Sequence, residues 1–302
     1  MGVSFSFTAV HDNEHVAIAG VEAGINEVVR IERLISSWDS GSQTTLINNN
    51  AGKTPVQVNE ELFFLIRRAK KVSRLTEGLF DISFASIDKV WNFENFNENR
   101  IPNKTALVES VKHIDYSKII LNEANKTVFL SDSLMKIGFG GIGKGYAANR
   151  VKKLLLEMGI QSGVVNAGGD LLCWGKKTSG NDWSIGIKNP VDKSKVLSWI
   201  NTSDMAVVTS GNYEKYFSIN GEKYCHIINP KTGWPVKHLA SVTIVCIDAE
   251  IADALATSVF ILGREKGIQL IDKLDGVECV VIDTKNEMFV SRNMNKNFIN
   301  VK

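Results

Sequence analysis

The sequence predicts an α+β fold of mixed, mainly antiparallel sheets with packed helices, in one domain spanning residues 1–302. Three observations lead there. Period-2 apolar runs and period-3.6 apolar runs are interspersed without strict strand–helix–strand alternation. The C-terminal third is rich in strand-like runs, including YFSI and EKYCHII joined by Asn220-Gly221, a strong hairpin signal. A chain of 302 residues with 44% hydrophobic and 23% charged content can bury a sizeable core and falls in the soluble globular class.

Taken in order, Phe5–Val10 alternates as a strand, and Val21, Gly24, Val28, Ile31 and Ile35 mark one face of a long helix. The run SSWDSGSQTTLINNNAG reads as a polar loop. Asn59 then caps a second helix with Leu62, Leu65, Ile66, Ala69 and Val72 on its inner face. WNFENFNENRIPNK, residues 91–104, reads as an asparagine-rich surface insertion. KIIL and TVFL flank NEANK as a hairpin. KIGFGGIGKG leads into a helix with Ala147, Val151, Leu154, Leu155 and Met158 inside, ending at Gly159. GVVNAGGDLLCWG, WSIGIKNP, VLSWI and AVVTSG read as strand segments. SVTIVC precedes a helix over 250–262, and CVVID and EMFVS form a last hairpin.

The net charge of +2 arises from 35 basic and 33 acidic residues without long runs, which points away from a nucleic-acid partner. No apolar run reaches the length of a membrane span, and no signal peptide is visible. Cys173, Cys225, Cys246 and Cys279 are far apart and form no C-x-x-C pair, so they are expected as small buried residues rather than zinc ligands.

Four stretches carry chemistry. GFGGIG fits G-x-G-x-x-G, and GFGGIGK fits G-x-x-x-x-G-K. The first lacks an acid at the right distance, since Asp170 lies 27 residues beyond Gly143 in its own GGD turn. The second has Gly145 where a Ser or Thr should hold a metal. A strand, then a glycine-rich turn, then a helix still offers backbone N–H groups to an anion, and a ligand-free turn is the plain alternative. In EIADALATSVFILG, Asp253 and Thr257 stand at i and i+4, so both oxygens leave one side of an apolar helix. A carboxylate there needs a partner, which a hard cation would provide; a solvent-facing pair reads equally well from spacing. His226 lies in a strand that breaks at Asn229-Pro230, as either a structural residue or a catalyst. Thr209, Ser210 and Gly211 reach a turn that suits a ligand or any loop.

In order, GLFDIS, GGIGKGYA, VVNAGGD, WSIGI-x-NP, TSGNY, HIINPKTG and ADALATSVFILG, with Met-Gly at the start, closely resemble the FAD:protein FMN transferases, the ApbE family, over residues 1–263. The resemblance implies a single α+β domain and a Mg²⁺-dependent reaction that splits FAD. FMN passes to a threonine or serine of an acceptor flavoprotein and AMP leaves; some relatives hydrolyse FAD to FMN and AMP instead. It implies a Mg²⁺ site of the Asp253 carboxylate, the Thr257 hydroxyl and the Gly141 carbonyl. FAD contacts are implied at Met1, Trp38, Gly78, Leu79, Phe80, Asp81, Gly138, Lys144, Ser210, Gly211, His226 and Ile227. It further implies an acceptor such as a subunit of a membrane redox complex, and a periplasmic or membrane-anchored extracytoplasmic location.

His226 is the leading candidate for the general base because its ordinary pKa is near neutrality, with Asp81 the second; nothing in the sequence decides between them. The chain departs from the family pattern at Gly138 and Asn149, where aspartates are usual, at Gly143, usually alanine, and at Ala256, where some members add an acidic ligand. A flavin-binding protein without transferase activity is the rival reading; it could dispense with Asp253 and Thr257.

Overall fold

The structure, a computed structural model, describes residues 2–87, 90, 91, 93, 101–190, 192, 195–294, 300 and 301. Met1 and most of the asparagine-rich stretch lie outside the described residues. The chain packs as two compact units. The first comprises Met1–Ile31, Ile142–Gly211 and His238–Lys302; the second comprises Glu32–Gly141 and Asn212–Lys237.

The first unit is built on a seven-stranded antiparallel sheet. Its strands are β1 (Phe5–Val10), β5 (Ser162–Ala167), β6 (Asp170–Trp174), β9 (Ala206–Gly211), β12 (Leu239–Cys246), β13 (Val277–Asp283) and β14 (Met288–Val290), adjacent in that order. β12 is buried at all eight positions, LASVTIVC, as a strand covered on both faces must be. Helix α6 (Ala249–Leu262) packs on β9 and β12 and against α5 (Gly143–Glu157). Val207, Val245, Val280 and Ile282 share a core with Ile185 and Ile187 of β7 (Trp183–Lys188) and Ile200 of β8 (Val196–Thr202). β7 and β8 pair in a second small sheet, with β15 (Asn300–Val301) beyond β8. Helix α7 (Arg264–Ile271) follows α6 directly. The long helix α1 (Glu14–Ile35) begins in this unit.

The second unit holds α2 (Gln43–Asn49), α3 (Glu60–Leu75), α4 (Lys104–Ser110), a sheet of β2 (Val56–Gln57), β4 (Thr127–Leu130) and β3 (Ile119–Asn122), and the hairpin of β10 (Tyr216–Ile219) and β11 (Glu222–Cys225). Asn59 caps α3 by accepting from the Leu62 N–H at 2.8 Å, as the sequence predicts. Asn220 and Gly221 both have positive φ, 52° and 81°, the geometry a two-residue hairpin turn demands. Trp91, Leu107, Phe217, Tyr224 and Ile228 form an aromatic core, and the Trp91 indole donates to the Gly233 carbonyl at 2.7 Å.

Four local expectations change. The polar run over residues 36–52 contains α2, because Ser42 accepts from the Thr45 N–H at its start and Thr44 and Ile47 bury one side. GVVNAGGDLLCWG is two strands, β5 and β6, turned by Gly168 and Gly169 at φ 66° and 107°. The segment before the glycine loop is no strand. His226 follows β11 rather than lying in it. The four cysteines are buried and unpaired, and burial pushes the Cys246 and Cys279 thiols up to about 11 and about 12. Among the described residues no helix is long and apolar enough to cross a membrane.

Candidate functional site

In the first unit, five elements deliver polar groups to one cluster. α5 starts at Gly143 with no side chain capping its first turn. Lys144, its second residue, extends its ammonium to Asp253 Oδ1 of α6 at 2.9 Å and to Asp170 Oδ2 of β6 at 3.3 Å. The Asp253 side chain is only 4% exposed, so its charge needs compensation. Its other oxygen accepts the Gly145 N–H at 3.1 Å. The Asp170 Oδ1 accepts the Thr209 N–H of β9 at 3.1 Å. On the next turn of α6, the Thr257 hydroxyl lies 3.3 Å from that of Ser210. Thr209 in turn shares a 2.8 Å hydroxyl contact with Thr243 of β12.

Three glycines set this geometry. A Cβ on Gly145 would lie 1.9 Å from the Ala249 carbonyl oxygen and 2.5 Å from its carbon, so α5 meets the first turn of α6 backbone to backbone. That contact lets the Gly145 amide reach Asp253. It also explains why no Ser or Thr follows Lys144. The turn at Gly168-Gly169 folds β6 back so that its first residue, Asp170, lies beside Lys144.

The electrostatics follow from one ammonium shared by two buried carboxylates. Burial alone would lower the Lys144 pKa, but the Asp253 and Asp170 charges outweigh it and hold the amine above its ordinary value. Burial pushes the Asp170 carboxyl up, Lys144 pulls it down and Asp253 pushes it up again, with a raised value the outcome. Each carboxylate accepts one backbone amide, and Asp253 has the shorter contact with the ammonium, 2.9 Å against 3.3 Å.

A neighbouring contact accounts for Asn149. Its amide nitrogen donates to Asp248 Oδ1 at 2.7 Å and its oxygen accepts the Ala249 N–H at 3.1 Å, while Asp248 caps α6. An aspartate at 149 would set carboxylate against carboxylate.

Apart from Met1, which lies outside the described residues, and Gly211, the remaining predicted residues stand in the second unit. The Lys136, Ile137 and Gly138 amides donate to Ser86 Oγ, Asn48 Oδ1 and the Ile82 carbonyl, so this part of the loop is tied to its own unit. Gly141 is the last residue of that segment. Gly78, at φ 79°, closes α3 by donating to the Ser73 carbonyl, and Leu79 continues the turn by donating to the Thr76 carbonyl. Phe80 is buried, and its N–H donates to the Thr76 hydroxyl. Asp81 is the cap of a short 3₁₀ helix: Oδ1 accepts the Ser83 N–H and hydroxyl at 2.8 and 2.7 Å, and Oδ2 accepts the Tyr116 N–H at 2.7 Å. Burial raises its carboxyl against the pull of those bonds. His226 Nδ1 lies 3.2 Å from the Lys215 carbonyl, so that nitrogen is the donor of the pair. Ile227 is buried and accepts the Val236 N–H. Trp38 is 83% exposed, a ring face suited to stacking.

The structure therefore brings together Lys144, Asp253, Thr257 and Ser210, with Gly211 ending the same strand as Ser210. It adds Asp170, whose GGD turn was visible but carried no metal or nucleotide pattern. Among the described residues no three His, Cys, Asp or Glu side chains converge as a metal cluster. The implied cation set is of another kind: one carboxylate, one hydroxyl and one carbonyl.

The family profile described as the ApbE family matches residues 1–281. An FAD:protein FMN transferase of Klebsiella pneumoniae strain 342 is 29% identical over 266 residues, covering 87% of this chain and 82% of that protein. One from Treponema pallidum is 31% identical over 283 residues, covering 87% and 78%. The crystal structure of the ApbE protein of Thermotoga maritima superposes with a TM-score of 0.90 at 31% identity, over 98% of this chain and 96% of that one. The apo flavinyl transferase ApbE of Pseudomonas stutzeri, at 23% identity and a TM-score of 0.84 over 99% and 94%, shares the fold. On the match of the profile to nearly the whole chain, the protein belongs to the ApbE family.

Proposed function

We propose that this protein is a flavin transferase. It takes FAD, breaks the phosphoanhydride and joins FMN through a phosphoester to a threonine or serine hydroxyl of a target protein, with AMP as the leaving group. The observation that carries this reading is the buried Lys144–Asp253 pair beside the Ser210–Thr257 hydroxyls, at the uncapped start of α5, in a chain of this family.

A Mg²⁺ ion fits the donor set. Asp253 is a buried carboxylate that already requires a positive partner, and Thr257 adds a hard oxygen beside it, with the Gly141 carbonyl as the third donor in this reading. Bound there, the ion would offset charge that develops as the phosphoanhydride breaks. The chain's own groups do the rest. Lys144 supplies a permanent positive charge for the phosphates. Because the Lys136, Ile137, Gly138 and Gly145 amides are engaged elsewhere, the loop's contribution to an anion comes from the residues between them. His226, oriented by the contact of Nδ1 with the Lys215 carbonyl, is the group that accepts the proton of the incoming hydroxyl in this reading. Asp81, with both oxygens engaged, is better suited to shaping the GLFD turn than to proton transfer. Trp38 offers a face to a flavin or adenine ring. The acceptor in this reading is a flavoprotein subunit of a membrane redox complex, met outside the cytoplasm.

The test is incubation with FAD, with and without Mg²⁺ and with a Thr- or Ser-containing acceptor, following AMP release and acceptor mass. Mg²⁺-dependent AMP with a mass gain of one FMN is expected. AMP with free FMN and no acceptor requirement would make it a hydrolase. FAD binding without AMP would make it a binding protein.

A further inference from the structure

Asp170 is a buried carboxylate that the reaction above does not use. It stands beside Lys144 at 3.3 Å, almost as close as Asp253 at 2.9 Å, so one ammonium lies between two acids. Both acids are pinned from behind, Asp170 by the Thr209 N–H and Asp253 by the Gly145 N–H. Asp170 is further fixed by opening β6 in register with Ala167, and Asp253 by the close packing of α5 on α6. The lysine, on four flexible methylenes, is the part that can move.

A cation taking Asp253 must displace the Lys144 ammonium. Without a second acid the amine would be left as an unpaired charge in a largely buried position, which opposes the exchange. We propose, resting on the cation site described above, that Asp170 is a positioning residue that receives the Lys144 ammonium when Mg²⁺ occupies Asp253. Lys144 thus acts as the counter-ion of Asp253 when no metal is bound. It then swings a short way to Asp170, staying paired and close to where the phosphates are held.

The test is calorimetric titration of Mg²⁺ into flavin-free protein, with a metal-free melting curve to establish folding. Asp170→Asn weakens Mg²⁺ binding roughly tenfold or more, the effect of losing a residue behind a ligand. Lys144→Met, which removes the competitor, tightens binding. In the Lys144→Met background, Asp170→Asn has little further effect. Asp170→Glu, which keeps a carboxylate for the amine, stays near wild type. Equal weakening in both backgrounds, or none in either, overturns the exchange. If Asp170→Asn does not fold, Lys144→Met decides alone, and binding no tighter than wild type overturns it. Mg²⁺ heat that is absent from the wild type sinks the cation site and the exchange together. Heat abolished by Asp253→Asn but indifferent to position 170 sinks the exchange only.

Discussion

Gly145→Ala is the substitution that most directly tests how the site is built. The added methyl would sit 1.9 Å from the Ala249 carbonyl oxygen, where real contacts do not fall below 3.0 Å. The two helices must therefore part by about 1.1 Å, and the obstacle is backbone, which cannot rotate aside. Overpacking of this kind costs about 3 kcal/mol. Opening the gap also strains or breaks the Gly145 N–H bond to the Asp253 carboxylate, worth about 2 kcal/mol for a charged acceptor. Alanine's better helix propensity returns about 1 kcal/mol. The balance is a loss of about 4 kcal/mol, or a fall in Tm of roughly 8–16 °C for a unit of this size. Melting of metal-free protein measures it, with Gly140→Ala as the control, since a methyl there meets nothing within 4 Å. AMP release should fall as well, because α6 carries Asp253 and Thr257. A Gly145→Ala protein melting within about 2 °C of wild type would refute the backbone contact between α5 and α6.

Three further outcomes follow from named contacts. Asn149→Asp replaces an amide donor with a carboxylate facing Asp248 at 2.7 Å; a loss of about 1–3 kcal/mol in urea unfolding at pH 7 is expected, and unchanged stability would discount that bond. The His113 ring, Lys118 and the Leu134 N–H hold Asp132 at about 2, below the ordinary carboxylate value of about 3.9. Its contribution is therefore complete above about pH 4 and is lost as pH falls through about 2, so Asp132→Asn should be less stable than wild type at pH 6 and converge with it near pH 2. His226→Ala is expected to slow FMN transfer by about 10²–10⁴-fold, and Asp253→Asn to abolish it. Full activity in His226→Ala beside a dead Asp253→Asn would remove the base and leave the cation site standing.

Legibility in the sequence followed how local each signal was. The caps and hairpins at Asn59, Asn220-Gly221 and NEANK could be read because their hydrogen bonds close within a few residues. Helix α2 could not, since its apolar side is only Thr44 and Ile47 and its start depends on one serine hydroxyl in a polar run. Asp253 and Thr257 were visible as an i, i+4 pair, yet spacing alone left open whether they faced solvent. The deciding fact is Lys144, 109 residues away, which no local pattern contains. Asp170 was harder still: its role depends on a strand turn, a lysine on α5 and an amide on β9 meeting at one place.

The same reasoning recasts the glycine loop. As a bare motif it looked like an open nest of amides with a missing serine. In the fold its two ends are occupied, by Ser86, Asn48 and Ile82 at one side and by Asp253 at the other. Gly145 is required by the approach of α6, and in the proposed cation site the hydroxyl that a P-loop would carry after its lysine comes from Thr257 of α6. Gly138 is a different case. The family pattern has an acid there, and a Cβ at that position would lie 3.1 Å from the Ala85 methyl and 3.5 Å from the Ser37 hydroxyl, tight but not closed. Backbone packing forbids a side chain at 145, whereas only the Ala85 and Ser37 side chains crowd one at 138. The fold therefore does not strictly demand glycine at 138, and under the proposed FAD site Gly138→Asp is the substitution expected to change FAD affinity without unfolding the protein.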